Sequence, residues 1–70
     1  MTKVAPTWGG KVEERRRALK LSQEELAELA RVSVRFIRSL EHDKPSVRLD
    51  KVTDVLDVLG FEIDIQVRLR

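Results

Sequence analysis

After Gly60 the periodicity of the chain switches from that of a helix to that of a strand, and this switch limits the possible folds more than any other feature. Phe61, Ile63, Ile65, Val67 and Leu69 alternate strictly with Glu62, Asp64, Gln66, Arg68 and Arg70, the period-two pattern of a half-buried strand. No other segment alternates comparably, so inside one chain that strand would leave a row of amides and carbonyls without partners. The pairing strand must then come from another molecule. The simplest closed arrangement is a two-fold homodimer whose tails pair antiparallel, with Phe61, Ile63, Ile65 and Val67 packed on helices of both subunits. Two strands alone would be marginal, and packing on helices removes that objection. The competing reading is a tail that folds back irregularly or stays disordered.

Association also fits the size of the chain. Seventy residues, 41% apolar and 37% charged, make one small folded domain, and domains of this size usually recruit disulfides, a metal or a second subunit. With no cysteine there is no disulfide, and His42 alone cannot build a transition-metal shell. No apolar run approaches the roughly 20 residues of a membrane helix, and Lys3 is followed by no apolar leader segment. A cytoplasmic protein with no membrane contact, cofactor or metal is expected.

Four helices are predicted upstream of Gly60. Trp8, Val12 and Leu19 mark one face of a first helix that ends near Lys20. Ser22, with Glu25 three residues on, is a capping box that opens a second helix with Leu26, Ala27, Leu29 and Ala30 as its apolar face. Ser33 can cap a third helix through Glu41, with Ile37 and Leu40 facing inward and Phe36 beside them. His42 to Val47 reads as a loop, because Pro45 disfavours helix at Lys44 and Asp43 and Ser46 form turns. Leu49, Val52, Leu56 and Leu59 then line a fourth helix that Gly60 stops. Residues 1–7 are an N-terminal arm, 8–59 the helical domain and 60–70 the dimerisation strand.

The two middle helices and their tight turn, LSQEELAELARVSVRFIRSLEHDK, have the spacing of a helix-turn-helix, whose second helix enters the DNA major groove. From Arg16 to Leu59 the chain resembles the phage-repressor-like, or Xre-type, helix-turn-helix family in its Arg, Leu-Ser-Gln-x-x-Leu-Ala, Val-Ser, Ile and Leu-Glu pattern. With PSVRLDKV and the alternating tail, the whole chain is similar to the short HipB-type antitoxins, dimeric repressors often encoded beside a HipA-type kinase toxin. The resemblance implies a mainly α, lambda-repressor-like four-helix domain with a C-terminal strand that pairs across a homodimer. Its expected partners are double-stranded DNA carrying an inverted-repeat operator and a HipA-like kinase toxin.

Residue chemistry points the same way. Arg35, Arg38 and His42 lie at i, i+3 and i+7 on the third helix, opposite Ile37 and Leu40, with Val34 and Ser39 flanking them. An arginine can bond guanine O6 and N7 with two donors, Ser39 can meet several base edges, and Val34 can touch a thymine methyl. Gln23 sits where the family commonly contacts a phosphate, at a helix start whose free amides favour anions. Ser33, His42, Lys44 and Ser46 are further backbone candidates. Arg16 and Glu41 match positions that the family joins by a structural ion pair. Lys20, Arg31 and Asp43 stand where many relatives have Gly, and a left-handed Arg31 would cost about 1 kcal/mol relative to Gly.

Charge falls in blocks of +4 (1–20), −3 (21–30), +3 (31–48) and −2 (49–70), so one face can be positive on a nearly neutral molecule. One His, no Cys, no Tyr and no Gly-rich phosphate loop leave no nucleophile and base to pair, which argues against an enzyme. No small-molecule ligand is implied. The alternatives are a prophage or restriction-modification controller repressor, or an adaptor that docks a protein through the third helix.

Overall fold

The computed structural model describes residues 7–44 and 46–64. Among them four helices follow in order: α1 (Trp8–Ala18), α2 (Gln23–Ala30), α3 (Val34–Glu41) and α4 (Leu49–Leu59). Hydroxyls open the first three. Thr7 accepts from the Gly10 amide at 3.1 Å, Ser22 from Glu25 at 3.0 Å and Ser33 from Phe36 at 3.0 Å. Glu25 Oε1 accepts in return from the Ser22 amide at 2.9 Å, completing the capping box. The Ser22 amide first, and its hydroxyl second, hold the Glu25 carboxyl below its ordinary range. At α4 the N-cap is Arg48, which offers no side-chain cap and instead pairs with Asp50 at 2.7 Å, lowering the Asp50 pKa.

All four helices end in the same hydrogen-bonded loop. In each, a left-handed residue donates three residues back and its successor five back: Lys20 to Arg17 and Leu21 to Arg16, Arg31 to Glu28 and Val32 to Ala27, Asp43 to Leu40 and Lys44 to Ser39, Gly60 to Asp57 and Phe61 to Leu56. This is the Schellman closure, which satisfies carbonyls orphaned at a helix end. Gly60 takes the strained position without a Cβ at φ 77°, whereas Lys20, Arg31 and Asp43 hold it at 60°, 59° and 57°. Leu21, Val32 and Phe61, the residues just past three of these turns, fold back onto the core.

That core is built from Val12, Leu26, Ala27, Ala30, Ile37, Leu40, Val52, Val55, Leu56 and Leu59. Here α2 packs on α3 and α4, while α1 packs on α3 and α4. Several apolar residues expected inside lie outside: Trp8 and Leu29 are each 58% exposed, Leu19 40% and Leu49 63%. The inward face of α1 is instead Gly9, Val12 and Arg16. Gly9 is obligatory there, since a Cβ would strike the Glu41 carbonyl oxygen and approach that of Leu40 to 2.6 Å. Small size at a helix crossing and a charge reserved for a buried pair therefore set this face, and apolar periodicity registers neither. In α4, Val55 fills the core and Leu49 does not, because the inward stripe begins at Val52.

Residues 61–64 carry neither helix nor strand. Phe61 belongs to the stop of α4 and packs on the core, while Ile63 is 40% exposed. Of the tail residues expected in the dimerisation strand, Ile65 and Val67 lie outside the described residues. Among those described, no helix is long and apolar enough to cross a membrane, and no cluster of His, Asp or Glu could hold a metal ion.

Candidate nucleic-acid interface

A buried ion pair sets the position of α3. Arg16 donates from Nε to Glu41 Oε2 at 2.7 Å and from Nη2 to Oε1 at 3.2 Å, while Nη1 bonds the Leu21 carbonyl at 2.8 Å. The Arg16 and Glu41 side chains are 9% and 2% exposed. The hydrogen bond to Glu41 raises the Arg16 pKa against the opposing cost of burial. A second tie comes from Asp43, whose Oδ1 accepts the Gly9 amide at 2.8 Å. One left-handed aspartate thus ends α3 and caps the start of α1. Position 43 was legible as a strained site from the sequence, but its reach across 34 residues was not.

With α3 held from behind, its outer side is free. Arg35 and Arg38 are exposed, as is His42, while Ser39 is half-buried. His42 Nδ1 lies 2.7 Å from the Arg38 carbonyl, so this nitrogen is the donor and Nε2 is the one directed elsewhere. Val34 is half-buried against the core, which limits how much of it can reach a base edge. Ser33 is exposed with its oxygen occupied by the Phe36 amide, leaving its hydroxyl proton to donate. Gln23 is half-buried and engaged at both ends of its amide: Nε2 donates to Glu41 Oε1 at 3.1 Å, and Oε1 accepts from Arg38 Nε at 3.4 Å. One N–H of that amide remains for a phosphate.

Beside α3 runs an open groove of about 250 Å³ whose lining includes Arg35, Lys44, Arg48, Lys51, Ser39 and Ser46. It unites Lys44 and Ser46, expected at the backbone, with Arg48 and Lys51, which sequence reasoning missed. Lys51 Nζ lies 5.9 Å from the centre of the Phe36 ring, within cation–π range. Spacing along the chain hides this lysine, because only the packing of α4 beside α3 brings a side chain of its first turn alongside Arg35.

Between Arg31 and Lys51 six cations face three carboxylates, and all three carboxylates are occupied. Glu41 is held by Arg16, Asp43 by the Gly9 amide and Asp50 by Arg48. With Arg48 spent on Asp50, five cations remain, and of these Arg35, Arg38, Lys44 and Lys51 lie on α3 or line the groove beside it, while Arg31 ends α2. A polyanion with regularly spaced phosphates and readable edges is the chemistry such a face suits.

The model of the helix-turn-helix family matches residues 12–66. The chain belongs to the Xre-like helix-turn-helix family. This family member is 48% identical over 50 residues to the uncharacterized HTH-type transcriptional regulator y4mF of Sinorhizobium fredii, a match covering 71% of this chain and 66% of that relative.

Proposed function

We propose that this helix-turn-helix protein is a sequence-specific DNA-binding transcriptional repressor that binds an inverted-repeat operator as a homodimer. The observation that carries the reading is the exposed Arg35 and Arg38 pair on α3, flanked by the Lys44 and Lys51 groove and backed by the buried Arg16–Glu41 pair. Family membership and the regulator relative support DNA binding and transcriptional regulation. In this reading Arg35 and Arg38 meet base edges with Ser39 and the exposed part of Val34. Gln23, Ser33, His42, Lys44 and Ser46 hold the backbone, joined by Lys51.

The finer assignment is a HipB-like antitoxin that represses its own operon in the cytoplasm with a HipA-like kinase as partner. Its support is the PSVRLDKV segment and the alternating tail. Homodimerisation is supported by the exposed Trp8 and Ile63, which line one groove of about 390 Å³ with the half-buried Phe61 where the tail leaves α4. Its occupant is a second copy of this chain.

Binding to duplexes selected from a random pool tests the reading. Arg35→Ala or Arg38→Ala should cost roughly 1 to 3 kcal/mol on the selected site and relax preference at one base pair per half-site. Lys44→Ala should weaken all sequences alike and flatten the log affinity against log salt slope by roughly one unit per lost contact. Unchanged affinity in both arginine variants would remove α3 as the reading helix and favour the adaptor role.

A further inference from the structure

Gln23 stands between a buried carboxylate and an exposed guanidinium, and its two neighbours determine which way its amide points. Glu41, held by Arg16 on both oxygens, can only accept hydrogen bonds, so the Gln23 NH₂ must face it. The Gln23 carbonyl oxygen is thereby turned toward Arg38, where it meets Nε at 3.4 Å. That distance exceeds the usual N–H···O range, so the contact steers the arginine rather than clamps it. A reversed amide would place NH₂ against a cation and oxygen against a carboxylate, and both contacts would be repulsive.

We infer that Gln23 is a specificity-determining positioning residue, aligning Arg38 for end-on recognition of a guanine. The inference rests on the proposed role of Arg38 as a base reader. With Nε engaged by Gln23, the two terminal nitrogens of Arg38 form the fork that matches O6 and N7. The order set by the core pair is passed outward in three steps, from Arg16 to Glu41 to Gln23 to Arg38. The reading side chain then reaches the groove with part of its rotamer freedom already removed, which lowers the entropic cost of binding. A phosphate bond from the second Gln23 N–H is compatible with this role and would carry no base preference.

The experiment measures discrimination, not affinity alone. Duplexes selected by the full-length protein are varied one base pair at a time, and the ratio of affinities for guanine against the other bases is read for the unmodified chain, Gln23→Ala, Gln23→Met, Arg38→Ala and the double variants. Gln23→Met keeps the side chain's bulk without its hydrogen bonds, and thermal unfolding of each variant reports whether the fold survives. At the base pair whose preference Arg38→Ala abolishes, Gln23→Met should lower the ratio about three- to tenfold, the worth of an ordinary net hydrogen bond, as suits a contact too long for the full strength of a charged one. In the Arg38→Ala background the same change should leave the ratio unaltered. Loss of affinity spread equally over all sequences, with the ratio intact, would make Gln23 a phosphate contact only and overturn the inference. If Arg38→Ala itself alters no base preference, the base-reading role of Arg38 fails and the inference falls with it, an outcome distinguishable from the preceding one.

Discussion

Three side-chain-bearing residues in the left-handed region form a natural comparison, because two are merely tolerated and the third is employed. Lys20 and Arg31 each hold φ near 60° and are exposed. Glycine would relieve roughly 1 kcal/mol of steric cost at each, partly offset by a more flexible unfolded chain. Lys20→Gly should therefore raise stability by about 0.5 kcal/mol, seen as a later urea midpoint at unchanged slope and fixed protein concentration. Asp43 gains less relief, since aspartate tolerates the left-handed region better than lysine or arginine, and loses the bond its carboxylate makes to the Gly9 amide at 2.8 Å. Loss of a cap costs about 0.5 to 2 kcal/mol, so Asp43→Gly should be neutral or destabilising where Lys20→Gly stabilises. A gain of the same size at position 43 would show that the cross-tie to α1 contributes nothing. All three positions were identifiable from sequence as sites where glycine is usual. Which one serves a second helix was not, because that depends on α1 crossing the end of α3 at Gly9.

At the scale of the element, helix ends were more legible than helix faces. Ser22, Ser33 and Gly60 act through neighbours within a few residues, so their roles in starting or stopping helices can be read locally. Faces depend on tertiary partners. Trp8 and Leu19 point outward while Arg16 points in, since an arginine with a buried carboxylate partner is a better core residue there than a tryptophan without a cavity to fill. Lys51 stayed unseen for the same reason: its neighbours Arg35 and Phe36 lie on another helix. The local caps also have a pH signature. Glu25 is held below its ordinary pKa by Ser22, so its ionised form favours the folded state. That contribution is complete above the unfolded carboxylate range of about 4 to 4.5 and is lost as pH falls through the lowered folded value. Glu25→Gln keeps an acceptor for the Ser22 amide but cannot titrate. Its stability should fall less steeply than that of the unmodified protein below about pH 4.5, and parallel acid profiles by thermal unfolding would rule out the carboxylate as a source of the dependence.

For the whole molecule, the decisive question is how a domain with one reading helix obtains enough affinity and the right spacing. On the proposed reading a single α3 would offer two arginines to bases, whereas two copies related by a two-fold axis would bind half-sites about 34 Å, or one DNA turn, apart and add their contacts on one duplex. The groove lined by Trp8, Phe61 and Ile63 is the surface where such a pair would join, with Trp8 58% and Ile63 40% exposed in the single chain. Ile63→Asp would bury a carboxylate in that joint at a cost of several kcal/mol if unpaired. Leu29→Asp is the control, since Leu29 is an exposed aliphatic residue like Ile63, at 58%, but lies on α2 and outside the groove. Sedimentation should show the Ile63 variant as a folded monomer or a weak dimer, and the Leu29 variant as a dimer like the unmodified chain. On an inverted repeat the monomer should lose the gain from simultaneous engagement, while on a single half-site it should bind as well as before. A stable Ile63→Asp dimer would place the joint elsewhere, and equal losses on half-site and full site would mean that the substitution damaged the reading domain itself.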